Sequence, residues 1–229
     1  MARWFSRKPR RTQVAVIGLG RFGYHVARQL HDTGHEVLAI DIDPENVQRI
    51  KDFSSRAVIL DARNSERLDA LGIRDFDTVV VSLGERIDAS ALVALHLREV
   101  GVRRIITKAG SEDHARLLER IGVHEIIFPE REAADRLAHR LASSSLLDYI
   151  PLGNDHSIHE VAPPPSFVGR TLDELRLRNR FGVQVLGVRD MLTEVVLVNP
   201  AADFRIKDSD ALLVLGRNQD LEKLKQVEE

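Results

Sequence analysis

From residue 13 to about residue 142, short β-branched apolar runs alternate with longer stretches whose apolar residues recur at helical spacing. The runs are Val14–Ile17, Glu36–Ile40, Ala57–Leu60, Thr78–Val81, Arg104–Thr107 and Glu125–Phe128. Between the first two, Phe22–His31 sets Val26, Ala27 and Leu30 on one face, and Ala89–Val100 and Asp113–Ile121 carry similar patterns. Strand and helix in regular alternation predict a parallel sheet with helices on both faces. The fold class expected is therefore α/β, a doubly wound Rossmann-type sheet of six strands over residues 13–142.

The pattern then changes. Ser143-Ser144-Ser145 and Gly153-Asn154-Asp155 mark residues 143–154 as a linker, and Pro163-Pro164-Pro165 breaks the early part of the next segment. Strands are expected at Ser157–Val161, Gln184–Val188, Val195–Val198 and Ala211–Leu215. Thr171 caps a short helix ending at Leu175, with Glu174 in capping-box position, and a last helix spans Gln219–Val227. Residues 155–229 thus read as a small α+β domain. About 75 residues are too few for the substrate domain of a dehydrogenase.

Composition narrows the classes. With 229 residues, 43% hydrophobic and 30% charged, the chain can bury a core without staples. Lys+Arg 33 against Asp+Glu 35 leaves −2, so no basic field points to nucleic acid. Cys 0 removes disulfides, thiolate catalysis and cysteine metal sites. No apolar run approaches the ~18 residues that cross a bilayer, so a cytoplasmic protein is expected. Residues 1–12, with Arg3, Arg7, Lys8, Arg10 and Arg11, read as a flexible basic tail; contact with a membrane surface or an acidic partner is the other reading. They precede Val14–Ile17 much as the basic end of an export signal would, but Gly18, Gly20, Arg21 and Gly23 interrupt the apolar segment. The histidines are scattered, and His156 and His159, three apart on a strand, face opposite ways. Neither H-E-x-x-H nor G-x-S-x-G occurs.

The candidate chemistry sits at the carboxyl ends of the strands. Gly18-Leu19-Gly20-Arg21-Phe22-Gly23 lies between an apolar strand and an amphipathic helix. In such a loop the first glycine permits the tight turn, the second lets a pyrophosphate approach, and the third lets helix and strand pack closely. Free N–H groups at the helix start then bind phosphate oxygens. Asp41, about twenty residues on, is placed to accept hydrogen bonds from ribose hydroxyls and to repel a 2′-phosphate, which argues against NADP. Its alternative role is a helix N-cap, which Asp43 before Pro44 fits better. Asp61 and Ala62 after the third strand are placed to meet an adenine, and Gly84 after the fourth leaves room for phosphates; each is also an ordinary turn residue.

These residues resemble a known family. Val16-Ile17-Gly18-Leu19-Gly20-Arg21-Phe22-Gly23, Gly34-His35-Glu36-Val37-Leu38-Ala39-Ile40-Asp41 and Leu71-Gly72-Ile73 are similar to the N-terminal RCK domain, the regulator of K⁺ conductance. So is Leu118-Glu119-Arg120-Ile121-Gly122 leading into Ile126-Ile127-Phe128-Pro129-Glu130, and residues 155–229 resemble the RCK C-terminal domain. The resemblance is to cytosolic gating subunits of Ktr/Trk-type potassium transporters. It implies a regulatory subunit, not an enzyme: a homo-oligomeric, octameric ring that answers ATP or ADP and pulls on an integral-membrane potassium channel subunit. The ring would lie at the inner face of the membrane through that partner. It further implies nucleotide contacts from Arg21, Asp41, Lys108 and Glu130, which join Gly18, Gly20, Phe22, Gly23, Asp61, Ala62 and Gly84 of the loop and strand ends in one candidate site.

Arg21 can reach a terminal phosphate with its fork of donors, or stand as a surface arginine. Lys108 balances phosphate charge or simply ends a strand. Glu130 beside a polyphosphate calls for a bridging Mg²⁺, or is an acid favoured in the first turn of the helix Arg131–Leu141. That helix carries Ala133, Ala134, Leu137 and Leu141, available to pack on a neighbouring copy or within the chain. The glycine loop accepts NAD or NADH as well as ATP. Some relatives bind cyclic di-AMP through their C-terminal domains; here Asp173 replaces an aliphatic wall, which disfavours that ligand and leaves Arg178 as the phosphate contact. The competing function is an NAD-dependent oxidoreductase, for which residues 155–229 offer no assembled proton donor and carboxylate clamp.

Overall fold

The computed structural model describes residues 11–84, 86–141, 146–225 and 227. The chain divides into two compact units, Met1–Pro129 and Glu130–Glu229. Among the described residues no helix is long and apolar enough to cross a membrane.

The first unit runs β1 (Gln13–Ile17), α1 (Arg21–Asp32), β2 (Glu36–Asp41), α2 (Pro44–Ile50), β3 (Arg56–Ile59), α3 (Ser65–Asp69), β4 (Thr78–Val81), α4 (Ile87–Glu99), β5 (Ile105–Lys108), α5 (Glu112–Ile121) and β6 (Glu125–Ile127). All six strands are parallel, in the order β3-β2-β1-β4-β5-β6. The order reverses beside β1, which creates the crevice where open α/β sheets take ligands. Successive strand residues feed opposite cores. Ala15, Ile17, Leu38 and Ile40 join one cluster with Val93 and Leu97 of α4. Val14, Val16, Val37 and Ala39 join another with Ala27 of α1 and Val47 of α2. Covered on both faces, these strands need apolar residues at every position, which is why they read as unbroken runs.

The sequence reading placed a helix cap at Asp43 ahead of Pro44 but gave α2 no span, and it had no sign of α3. Seven and five residues are too short to display a helical period, and caps define them instead: Asp43 accepts the Glu45 N–H ahead of Pro44, and Asn64 accepts the Arg67 N–H.

The second unit opens with α6 (Pro129–Leu141, its first residue belonging to the first unit) and continues β7 (Leu146–Pro151), β8 (His156–Val161), α7 (Leu172–Leu175), α8 (Leu177–Phe181), β9 (Gln184–Asp190), β10 (Val196–Val198), β11 (Asp210–Arg217) and α9 (Asn218–Lys225). Its sheet is antiparallel, ordered β10-β9-β11-β8-β7. Two boundaries differ from the sequence reading. The helix after the sixth strand falls with the second unit, and the stretch 143–154, read as a linker, contains β7. Tyr149 of β7 packs on the second core and pairs with His159 across the sheet, an anchor hidden in sequence by the flanking serines and glycine. Ser143–Ser145 lie outside the described residues, as does most of the basic tail. The capping box of Thr171 and Glu174 forms as expected.

Candidate functional site

The turn after β1 is built by two glycines that the backbone cannot replace. Gly18 has φ +91, and a Cβ there would lie 2.2 Å from the Ser82 carbonyl oxygen. At Gly23 a Cβ would lie 1.8 Å from the Gly18 carbonyl oxygen, so helix and turn touch backbone to backbone. Gly20 is different. Its φ is −60, and a Cβ would meet nothing within 4 Å. The fold itself makes no demand for glycine there.

Gly20 is also the N-cap of α1, so the first N–H groups gain no side-chain cap from it, and the first turn has no acid. By contrast α2, α3, α5 and α7 are capped by Asp43, Asn64, Ser111 and Thr171. Arg21 stands exposed at the first helical position and Phe22 beside it is half-buried. A helix end with open donors, no competing carboxylate and a cation is arranged for an anion.

Asp41 ends β2 and is 8% exposed. Its Oδ2 accepts the Leu19 N–H at 2.5 Å, and its Oδ1 accepts the Asp43 N–H at 2.9 Å. Asn46 Nδ2 lies 3.4 Å from Oδ2. Asp41 therefore clamps the glycine loop to the end of the second strand, while Asp43 takes the N-cap role. A carboxylate has about four acceptor positions, so capacity remains on Oδ1 for an incoming hydroxyl.

Gly18, Asp41, Asp61 and Ala62 line one shallow cleft, open to solvent, at the carboxyl ends of the strands. Among the walls that the sequence reading did not assign to the site are Ile42, Leu83, Arg63 and Arg86. Ile42 is 44% exposed, an apolar side chain left in water at the cleft edge. Asp61 is fully engaged by one residue. Its Oδ1 accepts the Arg63 N–H at 3.1 Å and Nε at 3.0 Å, and its Oδ2 accepts the NH2 group at 2.6 Å. The Arg63 guanidinium holds the Asp61 carboxyl below the ordinary carboxylate value. The signal for the two arginines was weak: each stands two residues beyond a predicted site residue, Asp61 or Gly84, in loops without a fixed spacing rule.

The remaining candidates spread outward. Gly84 follows β4 with φ +67 and open space around its Cβ position. Lys108 ends β5, half-buried, one strand beyond β4. Glu130 is an exposed residue in the first turn of α6 and belongs to the second unit. Among the described residues no three His, Cys, Asp or Glu side chains converge as a metal site. The second unit has its own wider groove, whose walls include Leu172, Asp173, Arg176, Arg178 and Pro200.

Residues 14–129 match the TrkA-N domain and residues 157–227 the TrkA-C domain. The chain belongs to the TrkA-N/TrkA-C family. It is 38% identical over 211 residues to Ktr system potassium uptake protein C of Bacillus subtilis, covering 92% of this chain and 95% of that one. Ktr system potassium uptake protein A of Vibrio alginolyticus is 34% identical over 204 residues, with 89% and 92% covered. Among solved structures, the GsuK channel superposes with a TM-score of 0.69 at 18% identity, over 95% of this chain and 39% of the channel chain. The GsuK channel bound to NAD gives 0.66 at 18%, over 97% and 40%. At that identity the likeness is one of fold: a six-strand parallel Rossmann sheet followed by a small antiparallel domain, the RCK arrangement.

Proposed function

We propose that this family member is a nucleotide-responsive regulatory subunit of a potassium uptake system, without substrate chemistry of its own. It would act from the cytoplasmic face of the membrane on an integral-membrane potassium channel subunit. The Ktr relatives are potassium uptake proteins and neither is named an oxidoreductase, which leaves that alternative unsupported. The observation that carries the nucleotide reading is Gly20: a glycine the fold does not need, capping a helix whose N–H donors are open, beside the cleft of Asp41.

In this reading the Gly18–Gly23 loop holds the phosphates, Asp41 takes a ribose hydroxyl, and Ala62 with Asp61 borders the base. Gly84 gives the phosphates room and Lys108 balances their charge. ATP and ADP share adenine and ribose, so only groups reaching the terminal phosphate can tell them apart, and a ligand shifts a conformational equilibrium only by such a difference. Arg21 and Glu130 are assigned that task. Glu130 has no cluster of protein ligands beside it among the described residues, so a Mg²⁺ there would draw its other ligands from phosphate and water. NAD or NADH fits the same loop; the GsuK channel bound to NAD is a fold neighbour that carries one. Asp173 on the wall of the second groove disfavours cyclic di-AMP by placing a carboxylate against a dianion.

Assembly into a ring of eight is supported by α6. Every residue from Arg131 to Ala138 is exposed, Leu137 by 47%, and Leu141 by 77%. Such a helix has an apolar stripe with room for a second copy. The test is a native mass spectrum of the purified protein. The reading expects multiples of the subunit carrying adenine nucleotide; a bare monomer after incubation with ATP, ADP and NAD would overturn it.

A further inference from the structure

Within the nucleotide reading, on which this inference rests, the cleft has an unexplained charge arrangement. Among the described residues its charged walls are two carboxylates, Asp41 and Asp61, and two guanidinium groups, Arg63 and Arg86. Asp41 is bound to main-chain N–H groups of Leu19 and Asp43, so no cation neutralises it directly. Among the described residues the Asp61 carboxylate bonds to Arg63, through Nε, NH2 and the backbone N–H of that residue. Arginine carries five donors in a fixed fork. The pair uses the Nε–NH2 edge of the guanidinium, an edge through which an arginine otherwise grips a phosphate.

We propose that Asp61 and Arg63 form a specificity lock: Asp61 ties down the guanidinium that would otherwise receive a 2′-phosphate, so the cleft selects nucleotides with a free 2′-hydroxyl. Asp41 gives only part of that selection, because its carboxylate is bound to main-chain N–H groups and leaves both guanidinium groups of the described lining unpaired by it. Arginine recognises phosphate through its paired donors, and a 2′-phosphate must compete with Asp61 for the edge already taken. The lowered pKa of Asp61 is in keeping with a carboxylate that stays charged and paired. Asp61 is thereby a positioning residue acting through Arg63.

Two ligands that differ only by the 2′-phosphate, AMP and adenosine 2′,5′-bisphosphate, test this by calorimetric titration, with ADP as reference. Wild type should prefer AMP by about tenfold or more, as charge repulsion in a partly shielded site predicts. Asp61→Asn should narrow that preference to about threefold or invert it, and Asp61→Asn with Arg63→Ala should restore it. Arg63→Ala alone, which leaves Asp61 unpaired beside Asp41, should widen it. Should Asp61→Asn fail to fold by circular dichroism, the Arg63→Ala arm decides. An unchanged ratio in Asp61→Asn, narrowing that persists in the double variant, or an unchanged ratio in Arg63→Ala overturns the lock while ADP binding by wild type still stands. Failure of wild type to bind ADP overturns the nucleotide reading and the lock with it.

Discussion

The interior strands of the first unit are covered on both faces, whereas the second unit builds its core on one face of its sheet. β1, β2 and β4 are buried from their second residue to their last. In the second unit Val161, Val188, Leu212 and Val214 face one core, while Ile150, Val196 and Val198 lie on the other side of the sheet and are exposed by 53%, 41% and 67%. β10, at the sheet edge, has no buried residue. An apolar edge without lysine, proline or bulge within it is a surface that natural sheets ordinarily protect. The difference separates two kinds of constraint. The first unit is closed around itself and reserves its open groups for one rim; the second leaves broad apolar surface outside its own core.

The sharpest way to break this comparison is to add one methyl group to a glycine in each unit. Gly23→Ala drives a Cβ into a backbone carbonyl that cannot move, so the first unit should lose about 3 kcal/mol or more. Gly216→Ala meets a buried Val183 methyl at 2.9 Å, a side chain rather than a main-chain carbonyl, and the second unit should lose less, about 1–2 kcal/mol. Hydrogen exchange reads the two units separately; equal losses would erase the distinction. Next in size, Ile40→Ala should remove about 2–5 kcal/mol from a fully enclosed site, while Val198→Ala on the open edge should stay within about 0.5 kcal/mol in urea titrations. A costly Val198→Ala would mean that the edge strand is covered.

The smallest effect is a pH dependence confined to the first unit. His114 is buried on α5, and burial pushes its imidazole below the usual value of 6.5. As pH falls through about 6.5 the unfolded chain takes up a proton that the folded one refuses, so stability declines until the folded value is passed. Urea midpoints between neutral and mildly acidic pH should show this slope in wild type and lose it in His114→Asn. An identical slope in both would place the titrating group elsewhere.

Legibility in the sequence divides along the same line. Parallel strands and long helices were visible because two-sided burial forces unbroken apolar runs, and Gly18 and Gly23 stood out because strand and helix framed them. β7 was not visible: its anchor Tyr149 gains meaning only by pairing with His159, ten residues on. The cleft was half legible. Asp41 follows a spacing rule, but that it clamps Leu19, and that Asp61 is consumed by Arg63, depends on side-chain geometry no pattern encodes. Nor did the loop cations Arg63 and Arg86 have a period to betray them.

The central claim is that the loop around Gly20 is shaped for a phosphate rather than for the fold. Asp41→Ala is a poor probe of it, since losing the Leu19 clamp would disturb the loop directly. Gly20→Ala separates the two: its φ of −60 suits alanine, and the new Cβ meets no atom of the chain within 4 Å. Calorimetric titration with ATP should show binding weakened about tenfold or more, while the urea midpoint matches wild type within error. Unchanged ATP affinity in a folded Gly20→Ala protein would contradict the account.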